Sequence, residues 1–194
     1  VSYKPETTRI FGFSQTELKH LTIGALLVMG VGLTYFLSIG ADILSLAILS
    51  IAFMLSFLLH ELAHKFSAQY FNLWAEFRLT LQGALITLIS MFLPFKIIAP
   101  GAVMIAGLGT KEIVGKTSIV GPITNIILSA LCIMVAQYIP LFLIVAFINA
   151  FLAVFNLVPF GIFDGLKVFR WNKVFWGIVF SAAITLTVYT YMSL

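Results

Sequence analysis

Residues 43–70 read ILSLAILSIAFMLSFLLHELAHKFSAQY. The first part, 43–59, carries no charge and has the makings of a membrane-spanning helix, which needs about 20 mostly apolar residues. No proline or glycine interrupts residues 60–70, so the helix is expected to continue through His60, Glu61 and His64 to about Tyr70. Three ionisable side chains within such a helix are costly in lipid and are functional by default. This one stretch therefore sets both the class of the chain and the place of its chemistry.

Composition agrees. The chain has 194 residues, 61% hydrophobic and 9% charged, with a mean hydropathy of +1.12. Soluble domains carry about 25% charged residues, and a small soluble fold leaves too much surface exposed to hide this much apolar area. Lipid is the expected solvent. The formal net charge of +4 reads as basic residues flanking membrane spans on the cytoplasmic side, not as a nucleic-acid surface. Cys132 is the one cysteine, so neither a disulfide within the chain nor a cysteine metal cluster is expected. The first apolar run lacks an Ala-x-Ala cleavage site and reads as a retained helix, not a signal peptide. The whole of 1–194 is expected to be one membrane-embedded domain.

Working outward, further apolar runs lie at 21–40, 118–139, 141–158 and about 174–192. Ser14 and Glu17, three apart ahead of the first, have the spacing of a capping box. The segment 77–110 is apolar but broken by Gly83, Pro94, Pro100, Gly101 and Gly107. All eleven Lys and Arg fall before the first run, between the second and third, or between the fourth and fifth. By the positive-inside rule the N-terminus is cytoplasmic and there are five crossings. That holds if 77–110 enters and leaves on one side. The expected fold is an all-α polytopic membrane protein, with about five transmembrane helices and a re-entrant, β-like membrane-associated element at about 77–110.

His60-Glu61-Leu62-Ala63-His64 is an HExxH motif. Positions i and i+4 share a helix face, so both imidazoles can reach one cation, and neutral imidazole suits zinc. Glu61 is then placed to act as general base toward the attacking water. A catalytic zinc takes three protein ligands and keeps one position open, so a third ligand must come from elsewhere. Glu6 and Glu17 precede the first span. Asp42 is 18 residues before His60, about 27 Å away along a helix. Glu112 lies between Lys111 and Lys116 and reads as a solvated charge. Glu76 has Arg78 for a neighbour. Asp164 follows the fourth span, beyond a break at Pro159 and Gly161, and arrives on the side where His60 and His64 lie. It is the expected third ligand. Asn125, about 14 Å deep from Lys116 if helical, is placed to face the site and hydrogen-bond substrate or a developing oxyanion. Asn156 invites the same reading, and both also suit interhelical hydrogen bonds. Asn149 has no motif around it and reads as packing.

Together these residues resemble the site-2 protease family of intramembrane metalloproteases. The family pattern is HExxH, then Gly-Pro-x-x-Asn, then Asn-x-x-Pro followed by Asp-Gly. Here these are His60–His64, Gly121–Asn125 and Asn156 to Gly165, so the resemblance covers about residues 43–167. It implies zinc held by His60, His64 and Asp164, Glu61 as base, and cleavage of membrane-embedded protein substrates. Family members often carry Pro directly after the last Asn, where this chain has Leu157. Many have a membrane-associated β-element after the zinc helix, which Ala99-Pro100-Gly101-Ala102-Val103 resembles, here behind an apolar insertion at about 79–95. No PDZ or CBS module is expected.

A transmembrane substrate hides its carbonyls in helical hydrogen bonds, and once unwound it needs new backbone partners. Residues 97–105 are uncharged and β-branched on both sides of Pro100-Gly101, which fits a small hairpin or edge strand. Ala102, Val103, Met104 and Ile105 are the expected pairing residues for the substrate. Two rivals exist, a metal or proton transporter and a non-catalytic zinc-binding relative. The first needs polar residues through the whole membrane, yet 43–55 and 141–148 are apolar apart from Ser45 and Ser50. Intact Glu61 speaks against the second. The expected partners are a transmembrane protein substrate and the bilayer, with the zinc site toward the cytoplasm.

Overall fold

The structure, a computed structural model, describes residues 12–93 and 96–194. Glu6 and the rest of the first eleven residues lie outside the described part. Helix α1 (Gln15–Ser38) starts where the Ser14 hydroxyl accepts the Glu17 N–H at 3.1 Å. Helix α2 (Ile43–Tyr70) starts at Asp42, whose carboxylate accepts the N–H groups of Leu44 and Ser45. Hydrogen bonds from Ser45 hold the Asp42 carboxyl below the ordinary carboxylate range. This cap is therefore intact at neutral pH and weakens only as acid protonates it. Then come β1 (Trp74–Leu79), α3 (Leu81–Ser90), β2 (Gly101–Ala106), α4 (Lys111–Ala136), α5 (Leu141–Leu157), α6 (Asp164–Trp171) and α7 (Lys173–Ser193).

Among the described residues four helices, α1, α2, α4 and α7, are long and apolar enough to cross a membrane. Large apolar side chains such as Ile43, Leu44, Leu131 and Ile178 face outward on them, as in a chain whose solvent is lipid. Helix α5 has 17 residues, about 25 Å of helix. That is the short end of the range of about 17–25 residues for a span, so length and composition by themselves bear out four of the five expected crossings. Helix α2 spans 43–70 as predicted. Helix α4 begins seven residues before its predicted run because Thr110 caps it, accepting the Ile113 N–H.

Helix α4 is central, packing against α2, α5 and α6, while α5 also packs on α7. Ile119, Ala153, Leu157, Val168 and Ala183 form the core there. On the other side α1 crosses α2 closely at Gly32. A Cβ on that residue would stand 3.2 Å from the Ser50 Cα and 3.2 Å from the Phe53 ring.

Of the two forms expected around Pro100-Gly101, a small hairpin or an edge strand, the segment takes the strand. Strand β2 pairs antiparallel with β1, which begins upstream of 77, in the register Trp74↔Ala106 through Leu79↔Gly101. Helix α3 fills the connection between the strands. Pro100-Gly101 thus leads into β2 and is not a turn. The turn assignment fails because Gly101 must lie flat against the partner strand: a Cβ there would be 2.3 Å from the Arg78 carbonyl oxygen. The outer edge of β1 is closed by α1. The Glu17 carboxylate accepts the Phe77 N–H at 3.0 Å, and His20 Nδ1 accepts the Leu79 N–H at 3.3 Å. Glu17 therefore completes no capping box with Ser14.

Gly32→Leu is expected to separate α1 from α2 and destabilise the fold by about 1–3 kcal/mol, the usual cost of overpacking. Unfolding titrations in detergent micelles would measure this, with Gly177→Ala as a control at a site with open space.

Candidate metal centre

Helix α2 carries His60 and His64 on one face, both buried. Asp164 reaches them from α6. Helix α5 stops at Leu157, the chain turns through Gly161 at φ +59°, and α6 begins with Asp164 in its first turn. Gly165 makes that start possible. A Cβ on it would lie 2.0 Å from the Leu157 carbonyl oxygen, so only glycine lets α6 seat against the end of α5. The Leu157 carbonyl, freed by the helix end, accepts Trp176 Nε1–H at 2.8 Å.

The three side chains converge. His64 Nε2 lies 2.9 Å from Asp164 Oδ2 and 3.1 Å from His60 Nε2, and His60 Nε2 lies 3.5 Å from Asp164 Oδ2. Tetrahedral zinc at about 2.0–2.1 Å from nitrogen and oxygen ligands separates those ligands by about 3.3 Å. The spacing fits. His60, His64 and Asp164 form a group able to hold a metal ion.

Hydrogen bonding fixes which ring atoms face that point. His64 Nδ1 lies 2.8 Å from the Thr117 carbonyl, which can only accept, so Nδ1 carries the proton. His60 Nδ1 lies 2.6 Å from Asn125 Oδ1. Asn125 Nδ2 donates to the Ser56 carbonyl at 3.3 Å and to Asn149 Oδ1 at 2.9 Å, and Asn149 Nδ2 donates to the Val145 carbonyl at 2.9 Å. Each step of this relay is assigned by the carbonyl that ends it, so His60 Nδ1 is also the donor. In the neutral imidazoles both Nε2 lone pairs therefore point inward. With Asp164 Oδ2 they make three acceptors around one point with no donor between them, which is the chemistry of a cation site. Such outer partners orient metal-ligating histidines. The second Asp164 oxygen, Oδ1, accepts Lys167 Nζ at 3.1 Å.

Gly121 leaves the space open. A Cβ there would lie 2.4 Å from His64 Nε2 and 2.7 Å from His60 Nε2. Pro122 stands inside α4, where it removes the N–H that would otherwise bond to the Ser118 carbonyl. Glu61, His60, His64, Asp164 and Asn156 line a cavity of about 530 Å³, which Val103 and Ile105 also border. The Val103 backbone N–H faces the Glu61 carboxylate.

Asn125 is fully buried and both ends of its amide are engaged, so it has no free donor for an oxyanion. Its contacts are those of a group that orients His60. Asn156 lines the cavity with its amide nitrogen bonded to the Leu152 carbonyl at 3.0 Å. Sequence reasoning missed Asn149 and Lys167. An amide inside the apolar run 141–158 was the available signal for the first. The second sits one helical turn after Asp164.

Among curated proteins, one from Methanocaldococcus jannaschii named "Putative zinc metalloprotease" is 38% identical to this chain over 179 residues, covering 88% of this chain and 92% of the relative. No family model matches the chain. No solved structure matches it significantly.

Ala is a better helix former than Gly by about 0.5–1 kcal/mol, so Gly121→Ala leaves α4 no weaker while filling the space before both Nε2 atoms. Its zinc affinity is expected to fall by more than about a hundredfold, beyond the range for loss of an outer partner. Asn149→Leu is expected to weaken zinc binding by about tenfold. Competition titration with a chromophoric chelator reads both.

Proposed function

The chain belongs to the family of the Methanocaldococcus jannaschii protein named "Putative zinc metalloprotease", and from that premise we propose that it is an intramembrane zinc metalloprotease of the site-2 type. It hydrolyses peptide bonds of transmembrane protein substrates. The observation that carries the reading is the convergence of three acceptor atoms beside Glu61, at the wall of a cavity bounded by apolar helices. We place the N-terminus and the zinc site toward the cytoplasm and count α5 as a fifth crossing, on the strength of the charge pattern.

His60, His64 and Asp164 would hold the metal. When bound there, zinc would supply Lewis-acid chemistry, lowering the pKa of water to about 7 and polarising a carbonyl. Glu61 takes the proton that the attacking water gives up and delivers it to the leaving amine. Asn125, Asn149 and the Thr117 carbonyl keep both imidazoles in the tautomer that presents Nε2. Lys167 holds Asp164 Oδ1 and leaves Oδ2 for the metal.

Substrate is bound as an added strand. Phe77 directs its N–H away from β2, to Glu17, so Phe77 and Val103 are a pair that exchanges no hydrogen bonds. The backbone groups of Val103 therefore point to the opposite edge, toward the cavity, and those of Ile105 follow by the two-residue period. Ala102 and Met104 face β1 with theirs. An unwound substrate segment takes the Val103 and Ile105 groups by β-augmentation, and the Val103 N–H passes from Glu61 to the substrate. The cavity also reaches Phe53, seven residues before His60 and about 10 Å along the helix. Apolar substrate side chains fit there.

A transporter is not favoured, because the donors around His60 and His64 end on backbone carbonyls instead of continuing as a polar path.

Glu61→Gln is expected to retain stoichiometric zinc and lose cleavage of a single-span substrate by about 10²–10⁴-fold. Cleavage near the wild-type rate would remove Glu61 as the base. Val103→Pro deletes the edge N–H and is expected to abolish cleavage or raise KM with zinc content unchanged. Normal cleavage by it would reject strand addition.

A further inference from the structure

Lys65 directly follows His64 and is fully buried, as is Glu17. Nothing in metal binding or proton transfer uses either. Lys65 Nζ pairs with Glu17 Oε2, donates to the Gly12 carbonyl at 2.8 Å and lies 3.8 Å over the Phe13 ring. Glu17 Oε1 accepts the Phe77 N–H at 3.0 Å. A buried ion pair of this kind is poor evidence for stability, since desolvation offsets most of its attraction. Its place in the fold gives it a different use.

Glu61 and Lys65 stand one helical turn apart on the same face of α2. Phe77 and Val103 are direct partners in the sheet. Lys65 reaches the outer edge of β1 through Glu17, and the outer edge of β2 at Val103 faces Glu61. One rung of the sheet is thus held on the β1 side, and faced on the β2 side, by neighbouring residues of the helix that carries His60 and His64. When substrate takes the Val103 N–H, Lys65 and Glu17 alone hold the rung.

We propose that the Glu17–Lys65 ion pair is a positioning clamp that fixes the β2 edge at its working distance from the metal centre and so sets the affinity for the substrate strand. The proposal rests on strand addition as the mode of substrate binding. Neither residue touches substrate or metal; both act through Phe77 and the strand pair.

The test uses zinc-loaded full chain, a single-span substrate peptide, and the variants Glu17→Gln, Lys65→Met and their double. Each single variant is expected to raise KM by about tenfold, the scale of one lost charge-assisted hydrogen bond. Zinc content stays whole and kcat within about twofold. The double should match either single variant, because both cut one linkage. Hydrogen exchange should quicken in 74–79 and 101–106 and stay unchanged in 111–136. Unchanged KM, with kcat reduced in step with the folded fraction, would overturn the clamp, as would effects that multiply in the double. Glu17→Gln keeps the shape and an oxygen for Phe77, so it decides the matter if Lys65→Met does not fold. Normal cleavage by Val103→Pro removes the strand-addition reading and the clamp with it. Lost cleavage there with unchanged KM in Glu17→Gln rejects the clamp alone.

Discussion

Backbone that leaves the helix among apolar helices must find a partner for every N–H and C=O, since each one left bare costs several kcal/mol in lipid. The rest of the structure depends on how the segment after α2 meets that demand. Two short strands satisfy each other through every second residue. On the outer side of β1 the demand is met by Glu17 and His20 of α1, so a helix does the work of a third strand. On the outer side of β2 the Val103 N–H faces Glu61. One edge is closed by the fold, and the other ends at the side chain proposed as the base. Under the proposed strand addition, substrate has one edge to join.

The same economy of donors and acceptors builds the metal centre. Both imidazole Nδ1–H groups are spent on fixed carbonyl acceptors, one through Thr117 and one through the Asn125–Asn149 relay that ends on Val145. What is left over is two ring nitrogens and a carboxylate oxygen facing one another. That arrangement is repulsive by itself and becomes favourable around a cation. Glycines at 121 and 165 supply the room: the first before the ring nitrogens, the second where α6 meets the end of α5.

The parts legible in the sequence are those where one residue type answers one physical need. The uncharged run 43–59 ending in HExxH gave α2 with its boundaries. Screening carboxylates by position led to Asp164, and the structure brings it to 2.9 Å from His64. Contacts between distant segments were not legible. Asn149 looked like packing because its partner Asn125 is on another helix. Glu17 looked like a cap because its nearest chain neighbour, Ser14, was the visible partner, while Phe77 and Lys65 are far along the chain. The strand pairing was misjudged for the same reason: Pro100-Gly101 suggests a local turn, and the partner strand lies beyond α3. Helix α5 marks a different limit: its 17 residues are at the short end for a span, so a fifth crossing rests on the charge pattern and not on length.

The central claim is that this metal centre cuts a peptide bond within a membrane-spanning substrate. The most direct measurement puts purified protein and a single-span substrate in liposomes. Products are identified by mass spectrometry after the metal is stripped by a chelator and again after one equivalent of zinc is added. The account predicts a scissile bond inside the substrate's span, cleavage lost on stripping, and cleavage restored at one zinc per chain. Cleavage confined to the substrate's aqueous tails, or cleavage that persists in metal-free protein, would contradict it.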